Sequence, residues 1–251
     1  MRKLKIALQK KGRLSEKSLD LLKECGIQVS NGARKLKTEA RNFPLEILYL
    51  RDDDIPQYVE QGVADIGMVG ENEVWEQNRD VETVLPLGFA RCRLCLAVPK
   101  TAEYSDLSWF SGKTVATSYT GILKRFFVEN GIEARIEKIS GSVEIAPSIG
   151  LADGIFDIVS TGSTLLMNGL REVCTAKTSE AVLIATPDLA SKSPEAAELL
   201  DQLLFRIRAV QAAASHKYIL LNAPDSALSE ISSLLPGMKS PTVLPLAESG
   251  W

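Results

Sequence analysis

The sequence predicts an α/β protein with two lobes and largely parallel sheets. Short apolar runs alternate with segments of helical periodicity through most of its 251 residues, which is typical of βαβ units. Two apolar strands, Cys92–Pro99 and Glu180–Pro187, separate two sets of these units. Two crossings of this kind imply a hinge with a cleft beside it. With 45% apolar residues, the chain can bury a core in each lobe.

The first 90 residues predict one α/β unit. A helix is expected to begin after Ser15 as its N-cap and to run to Cys25, where Gly26 stops it. A second short helix, DDIPQYVEQG, is expected to end at Gly62. The strands expected in this unit are Leu4–Gln9, Leu45–Leu50 and Ala64–Gly70.

Residues 92–181 predict a second lobe of the same kind. Its helices are expected through KRFFVENG and near Val143–Ala152. Its strands are expected at Lys113–Ser118, at Ala134–Ser140 and at a run that ends with Val159. The helix Glu195–Ala214 would pack back on the first lobe, which then comprises residues 1–91 and 182–215. Its apolar residues at helical spacing are Leu199, Leu203, Ile207 and Val210.

Residues 216–251 start the α/β pattern again. KYILLNAP predicts a strand, DSALSEISSLL a helix and PTVLPLAE a second extended segment. A β-α-β fragment of this length is too short to bury a full core alone. We therefore interpret it as a partial C-terminal domain.

Several classes of protein are excluded by composition. The N-terminus MRKLKIALQK contains no signal peptide, and no run approaches the roughly 18 to 20 apolar residues of a membrane span. We therefore expect a cytoplasmic protein with no membrane partner. The only histidine is His216, which leaves little for a histidine base or a histidine metal site. Cys92 and Cys95 form a CxxC inside a predicted strand, which favours a structural role.

Charge is distributed unevenly along the chain. The net charge of −3 argues against a nucleic-acid partner. Residues 1–51, however, carry 13 Lys or Arg and five Asp or Glu, against 16 and 27 in the remainder. This basic segment is either solvated surface or a site for a compact, highly phosphorylated small molecule.

The most informative segment is DIVSTGSTLLMNGL, residues 157–170. Ile158 and Val159 end a strand, and the following turn supplies small hydroxyl side chains, a glycine and free backbone N–H groups. Such a turn can wrap a phosphate, with the N-terminus of a helix that begins near Ser163 aimed at the same point. The alternative is an ordinary strand-turn-helix connection. The candidate phosphate ligands are Ser160, Thr161, Gly162, Ser163 and Thr164.

Cations follow the strands of the first lobe. Gln9, Lys11 and Arg13 lie around a glycine after the first strand, where they could hold phosphates or form an exposed loop. Arg34 and Arg51 add charge to the same lobe. Arg51 is the stronger candidate, because it sits where the strand Leu45–Leu50 ends.

Other polar residues allow two interpretations each. Asp52–Asp54 could suggest a metal site, but capping of the helix that holds Pro56 is favoured. Glu71 follows a strand and could touch a ligand or simply begin a helix. Tyr119 could stack on a base or fill a gap in the core.

Three carboxylates surround the candidate phosphate turn in the sequence. Glu144, Asp153 and Asp157 lie in GSVEIAPSIGLADGIFD. A carboxylate beside a phosphate turn can accept hydrogen bonds from ribose hydroxyls. Asp153 and Asp157 are four residues apart, but the strand-like residues between them make a shared helical face doubtful.

Taken together, these motifs closely resemble the ATP phosphoribosyltransferase family of histidine biosynthesis. The resemblance runs from end to end through LQKKGRLS, ARKL, LRDDDIPQYVEQGVADIGMVGEN, CRLCLAVP, ATSYTGILKRF, GSVEIAPSIGLADGIFDIVSTGSTLLMNGL and KYILLNAP. The combination in this order is specific, although each piece alone is weak. KYILLNAP and LLPGMKSPTVLPLAE also resemble the long form of the family, whose C-terminal domain binds histidine as a feedback inhibitor.

The resemblance implies a fold of two lobes like the type II periplasmic binding proteins, with the active site between them. It implies that Asp157, and Asp153 as a second candidate, bind the ribose of phosphoribosyl pyrophosphate, while residues 160–164 hold its 5-phosphate. It implies catalytic roles at the triphosphate or the leaving pyrophosphate for Arg13, Arg34 and Arg51. The ATP-binding candidates are Gln9, Lys11, Arg13, Glu71 and Tyr119, and Glu144 is a further candidate for the site.

The expected activity follows from the same resemblance. The 5-phosphoribosyl group would pass from phosphoribosyl pyrophosphate to N1 of the adenine of ATP, with Mg²⁺ held mainly by the substrate phosphates rather than by a protein metal site. A homo-oligomer, dimer or hexamer, is the implied assembly. Long-form members continue by about one more βα unit, so weak or absent inhibition by histidine is expected here. The alternatives are a non-catalytic two-lobed binding or sensor protein for a phosphorylated metabolite, and a regulatory paralogue of a transferase subunit.

Overall fold

The computed structural model describes residues 2–29, 36–214, 216–235, 241–245 and 250. In the described part of the chain there are eleven strands and eight α-helices. The strands are β1 (Leu4–Gln9), β2 (Lys37–Glu39), β3 (Leu45–Leu50), β4 (Ile66–Gly70), β5 (Glu82–Pro86), β6 (Cys92–Pro99), β7 (Thr114–Thr117), β8 (Arg135–Lys138), β9 (Gly154–Val159), β10 (Leu170–Ser179) and β11 (Ala181–Ala185). The helices are α1 (Arg13–Glu24), α2 (Ile55–Glu60), α3 (Glu71–Gln77), α4 (Thr120–Glu129), α5 (Ser163–Met167), α6 (Leu189–Lys192), α7 (Pro194–Ala214) and α8 (Leu228–Leu234).

Two mixed sheets organise residues 1–211, which form one compact unit. The first has the order β2-β3-β1-β4-β11-β5 and the second β10-β6-β9-β7-β8. The strands that neighbour β1 and β7 run parallel to them, as predicted. The crossing strands β6 and β11 are antiparallel to their neighbours. The prediction of largely parallel sheets was therefore wrong for these strands, because a chain that returns through a hinge enters each sheet in the reverse direction.

The core of the first sheet explains the apolar runs of the sequence. β1 buries Ile6, Ala7 and Leu8 completely, because a central strand is covered on both faces. The long helix α7 packs on this sheet through Leu203 and Ile207, which are fully buried in the same apolar cluster. The predicted packing of this helix on the first lobe is confirmed.

The N-terminal end of α1 differs from the prediction. Gly12, not Ser15, occupies the N-cap position, with a φ of 104° that favours glycine. Helix α1 therefore begins at Arg13, and Ser15 lies buried inside its first turn. The loop that carries Lys11 is correspondingly shorter.

The predicted helix near Val143–Ala152 is absent from the structure. This described segment contains only a 3₁₀ turn, Val143–Ile145, followed by irregular turns. Pro147 lacks the N–H that a helix needs in its interior, and Gly150 has a φ of 74°. These two residues end the helix that the apolar spacing suggested.

The C-terminal residues 212–251 form a separate unit. It contains a 3₁₀ turn at Asp225–Ala227 and then α8. Residues 217–224, predicted as a strand, pair with no described strand. Part of the second predicted extended segment, residues 246–248, lies outside the described residues.

Close packing of α2 on the first sheet yields a test of the fold. A Cβ atom placed on Gly67 of β4 would lie 2.6 Å from Ile55 Cγ2 and 3.1 Å from Val59 Cγ2. We therefore expect Gly67→Ala to lower the free energy of unfolding by about 1–3 kcal/mol, measured by urea denaturation.

The control for this prediction removes the obstructing atom. In an Ile55→Ala background the added methyl group has space, so Gly67→Ala should cost less there than in the wild type. An equal cost in both backgrounds would contradict the packing explanation.

Candidate functional site

The turn after β9 has the geometry that the sequence predicts. Gly162 adopts a φ of 80° and occupies the N-cap position of α5, which begins at Ser163. The hydroxyl oxygens of Thr161 and Ser163 lie 3.0 Å apart. Ser160 and Thr164 are also exposed. Four hydroxyl side chains thus surround one left-handed glycine at the carboxyl end of a central strand.

Asp157 lies inside β9, two residues before the strand ends. Its Oδ1 accepts a hydrogen bond of 2.8 Å from the backbone N–H of Ile158. Burial raises the pKa of Asp157 to about 6, against the opposing effect of that N–H, and the carboxylate of Glu144 raises it further. The 3₁₀ turn that holds Glu144 packs against β9, which brings the carboxylate of Glu144 within electrostatic reach of Asp157.

Asp153 occupies the other end of the same strand. Its carboxylate accepts a hydrogen bond of 2.8 Å from the backbone N–H of Thr114 on β7, and its own N–H donates to the Thr114 carbonyl at 2.8 Å. At about 3.3 Å per residue, the length of β9 separates Asp153 from Ser160 by roughly 23 Å. The structure does not bring Asp153 to the candidate phosphate turn, because the residues between them form an extended strand.

The basic loop of the first lobe follows β1. Lys11 and Arg13 are exposed, and Gln9 is half-buried. The Gln9 side-chain amide donates to Asp52 Oδ2 at 3.2 Å. This contact holds the loop after β1 beside the loop after β3.

Arg51 projects from the end of β3 with 78% of its side chain exposed. Its Nε and Nη2 donate to the two oxygens of Asp53 at 3.1 and 3.0 Å. The remaining N–H groups of the guanidinium face away from this pair. Arg34, the other predicted arginine of this lobe, lies outside the described residues.

Asp54 occupies the N-cap position of α2 and Pro56 lies in the first turn, as the favoured capping role of Asp52–Asp54 expects, but the side-chain capping hydrogen bond is absent. These residues form a 3₁₀ turn that leads directly into α2, and no side-chain capping hydrogen bond forms there. Asp54 already has helical φ and ψ angles of −86° and −23°, whereas an N-cap residue needs an extended backbone. Their carboxylates instead bind Gln9 and Arg51.

A buried polar cluster that sequence reasoning missed lies at the start of α3. The backbone N–H of Asn72 donates to the Ser179 hydroxyl, which in turn donates to Asn72 Oδ1, both at 3.0 Å. The Asn72 amide nitrogen donates to Glu73 Oε1 at 3.0 Å and to the Tyr119 hydroxyl at 3.4 Å. Asn72, Glu73 and Ser179 are buried. The cluster therefore joins the first sheet to α4 and β10 of the second.

Electrostatic coupling extends across this cluster. Burial raises the pKa of Glu73 to about 7, and the Asp52 carboxylate raises it further, while hydrogen bonding to Tyr119 opposes the shift. Burial also raises the pKa of Tyr119 far above its ordinary value, helped by the charges of Glu73 and Asp157. Residues of the first lobe and the base of the phosphate turn thus lie within electrostatic reach of one tyrosine.

Glu71 lies beside the crossing between β10 and β11. Its backbone N–H donates to the Glu180 carbonyl at 2.9 Å. Burial raises the pKa of its carboxyl, the Lys177 ammonium opposes this, and the Glu180 carboxylate adds to it. Glu71 therefore begins α3, as one interpretation expected, and its charged neighbours belong to the strand end and the crossing between β10 and β11.

A second contact between the lobes is made by Glu76 near the end of α3. Its carboxylate accepts hydrogen bonds of 2.9 Å from the backbone N–H groups of Gly121 and Ile122, in the first turn of α4. Arg125 of α4 donates to the Trp75 carbonyl at 2.6 Å. Because a helix N-terminus favours a carboxylate, this contact stabilises the approach of α3 and α4.

Among the described residues, no group of three or more His, Cys, Asp or Glu side chains is placed to hold a metal ion. Within the same ranges, no helix is both long and apolar enough to cross a membrane.

Comparison with known proteins identifies the family. A family model described as ATP phosphoribosyltransferase matches residues 51–209, and one described as the HisG C-terminal domain matches residues 213–251. The chain belongs to the ATP phosphoribosyltransferase family. Members from Phocaeicola vulgatus and Cytophaga hutchinsonii are each 56% identical to it over 248 residues, which is 99% of this chain and 87% and 86% of those proteins.

Solved structures agree with this membership. The ATP phosphoribosyltransferase HisG:HisZ complex from Thermotoga maritima matches with a TM-score of 0.70 and 29% identity, over 82% of this chain and 99% of that one. The substrate-binding protein of an amino acid ABC transporter matches with a TM-score of 0.55 and 12% identity, over 84% and 94% of the two chains. The second likeness shows the fold alone, and it confirms the predicted resemblance to periplasmic binding proteins.

Membership of the ATP phosphoribosyltransferase family makes this chain a transferase of the first step of histidine biosynthesis. Members of this family act on a nucleotide. The basic loops and the hydroxyl-rich turn are the parts of the structure whose chemistry suits phosphate groups.

The pKa of Glu73 generates a prediction on stability. The folded state holds the Glu73 proton up to a pKa of about 7, against an ordinary value of 4.5. The stability due to this proton is therefore fully present below about pH 4.5 and is lost as the pH rises through about 7. Glu73→Gln should remove this loss, on the order of 2 kcal/mol, in urea unfolding measured between pH 5 and pH 8.

The control for this test is Glu133→Gln at an exposed position of the second lobe. The difference in free energy of unfolding between wild type and Glu73→Gln should move in favour of the variant with rising pH. A difference that stays constant from pH 5 to pH 8 would show that Glu73 does not titrate in this range.

Proposed function

We propose that the protein transfers the 5-phosphoribosyl group of phosphoribosyl pyrophosphate to N1 of the adenine of ATP, at a site between the two sheets. The products are N1-(5-phosphoribosyl)-ATP and pyrophosphate. The observation that carries this proposal is the hydroxyl-rich turn after β9, in a chain whose two lobes are joined by the hydrogen bond from Asn72 to Tyr119. In this proposal, residues 1–91 and 182–215 form the ATP side, and residues 92–181 form the phosphoribosyl pyrophosphate side.

The phosphoribosyl side of the site is the turn after β9. Its hydroxyl groups and backbone N–H groups would donate to the 5-phosphate from residues 160–164. Asp157, two residues before the end of the strand, would accept hydrogen bonds from the ribose hydroxyls. With a pKa of about 6, its carboxyl is mostly ionised at neutral pH and can act as such an acceptor. We leave Asp153 out of this site because its carboxylate already binds the Thr114 N–H.

The ATP side of the site comprises the carboxyl ends of β1 and β3 and the start of α3. Gln9, Lys11 and Arg13 would meet phosphate groups of ATP or the leaving pyrophosphate. Tyr119 and Glu71 would contact the nucleotide from the hinge side. The charge of this loop system supports the assignment, because the cations follow strands at the edge where ligands of α/β sheets bind.

The chemistry is a displacement at C1 of the ribose. The lone pair of adenine N1 forms the new bond to C1 while the bond from C1 to the pyrophosphate oxygen breaks. Because N1 already carries a lone pair, a strong protein base is unnecessary. Arg51 would stabilise charge as it develops on the leaving pyrophosphate, and we propose the same role for Arg13 and Arg34.

Mg²⁺ would supply neutralisation of the pyrophosphate charge. Phosphate oxygens are ligands that this hard cation prefers, so the ion would arrive with the substrate and be held mainly by it. The neighbouring carboxylates of Asp157 and Glu144 suit the same complex, since carboxylate oxygens can bind water in its coordination shell.

The proposed assembly is a homo-oligomer, either a dimer or a hexamer. Residues 213–251 match the HisG C-terminal domain and are the proposed site for any inhibition by histidine, which the sequence predicts to be weak or absent. Sedimentation of the purified chain tests the assembly, and pyrophosphate release with and without histidine tests the inhibition.

A two-substrate assay tests the proposed reaction. The chain is incubated with ATP, phosphoribosyl pyrophosphate and Mg²⁺, and pyrophosphate release is followed. We expect release only when both substrates are present. Release that persists without ATP would indicate simple hydrolysis, and no release at high enzyme concentration would refute the transferase assignment.

Substitution of Arg51 tests its proposed contact with the leaving group. Arg51→Ala should lower kcat by about 10- to 100-fold while weakening ATP binding by less than about threefold, measured by steady-state kinetics and calorimetry. The matched control is Arg79→Ala, which removes another arginine paired with a carboxylate of the first lobe, Glu60 at 3.1 Å. Unchanged turnover in Arg51→Ala would remove this residue from the mechanism.

A further inference from the structure

Arg93 of β6 binds the backbone of the phosphate turn. Its Nη1 donates to the Ser160 carbonyl at 3.1 Å. Its Nε donates to Glu172 Oε1 on β10 at 2.9 Å, and its Nη2 donates to Glu172 Oε2 at 2.7 Å. One planar guanidinium therefore connects the two strands on either side of β6.

Glu172 is itself fixed from other directions. Its Oε1 accepts hydrogen bonds from the Cys95 thiol at 3.1 Å and the Thr175 hydroxyl at 3.0 Å. The register between β10 and β6 shifts immediately after Glu172 and again after Thr175. Such bulges re-aim side chains, and here they accompany the convergence of a carboxylate, a thiol and a hydroxyl on Arg93.

The electrostatics agree with a persistent ion pair. Hydrogen bonding to Arg93 lowers the pKa of Glu172 to about 2. Hydrogen bonding to Glu172 raises the pKa of the Arg93 guanidinium above its ordinary value. Both groups stay charged over the whole range in which the enzyme would be assayed.

The contact with Ser160 determines the direction of the next N–H group. In a trans peptide the carbonyl and the following N–H point in opposite directions, and the structure has no cis peptide among its described residues. With the Ser160 carbonyl held by Arg93, the Thr161 N–H points away from Arg93. This peptide is the first of the turn, and Gly162 changes the chain direction immediately after it.

We propose that Arg93, fixed by Glu172, is a positioning residue that orients the first peptide of the turn for the 5-phosphate of phosphoribosyl pyrophosphate. This inference rests on the proposed function of the turn. Arg93 acts through the backbone, so its loss should weaken binding of one substrate and leave the other unaffected.

A direct contact between Arg93 and the phosphate is the competing explanation. The two explanations predict opposite changes in phosphoribosyl pyrophosphate binding when Glu172 is removed. If Arg93 orients the turn, removal of Glu172 releases the guanidinium and weakens phosphoribosyl pyrophosphate binding. If Arg93 binds the phosphate itself, removal of Glu172 frees donors for the ligand and strengthens binding.

The test measures the dissociation constants of phosphoribosyl pyrophosphate and ATP by calorimetry on the full chain. Arg93→Met should raise the constant for phosphoribosyl pyrophosphate about tenfold, and Glu172→Met should raise it in the same direction. Arg93→Lys, which keeps the charge but cannot reach both partners, should fall between wild type and Arg93→Met. The constant for ATP should change less than about twofold. In turnover, KM for phosphoribosyl pyrophosphate should rise while kcat stays within about threefold.

The matched control is Arg171→Met. Arg171 neighbours Glu172 in β10 and also donates to a backbone carbonyl, that of Ala102 at 3.0 Å, away from the turn. It should leave both dissociation constants unchanged. Thermal melting identifies a loss of folding, and if Arg93→Met does not fold, Arg93→Lys and Glu172→Gln provide the same comparison.

The outcomes separate this inference from the proposed reaction. Wild type that binds phosphoribosyl pyrophosphate without releasing pyrophosphate refutes the reaction, while the binding constants still decide the role of Arg93. Unchanged phosphoribosyl pyrophosphate binding in Arg93→Met, tighter binding in Glu172→Met, or an equal loss of ATP binding would each overturn the positioning role. A wild-type chain that does not bind phosphoribosyl pyrophosphate would overturn both.

Discussion

The site depends on the hydrogen bonds of the buried Asn72 side chain. An amide inside a core must satisfy both its oxygen and its nitrogen. Asn72 does so with Ser179 at the end of β10, with Glu73 beside it and with Tyr119 before α4. These partners come from both lobes, so the geometry of the space between the sheets is fixed by groups that would be costly to leave unpaired.

The strands that could be predicted from the sequence were those with long runs of apolar residues. β1, β3 and β4 were readable because buried strands form continuous apolar runs. β2 and β10 were not predicted: β2 has only three residues, and β10 is an edge strand with few large apolar residues and two bulges. The direction of β6 and β11 could not be read from their residues, because strand direction depends on the path of the chain between the sheets.

The candidate site was predictable where one segment contained the whole signal. The turn after β9 has its glycine, its hydroxyls and its helix start at the expected positions. Asp153 shows the limit of this reasoning, because its distance from the turn depends on Gly154–Val159 being fully extended. Glu73 was not predicted as a site residue, because only tertiary packing buries it beside Tyr119. Similarly, no local pattern pairs Arg93 with Glu172, which lie 79 positions apart.

The carboxylate of Glu76, which belongs to α3, occupies the N-terminal end of α4 and so affects where other anions can bind. A helix N-terminus is an attractive place for a phosphate, and α4 begins directly beside Tyr119. The protein's own carboxylate already accepts the N–H groups of Gly121 and Ile122. It repels any second anion from that helix end. In the proposed function, the hydroxyl-rich turn and the basic loops are then the places left for the phosphates of the two substrates.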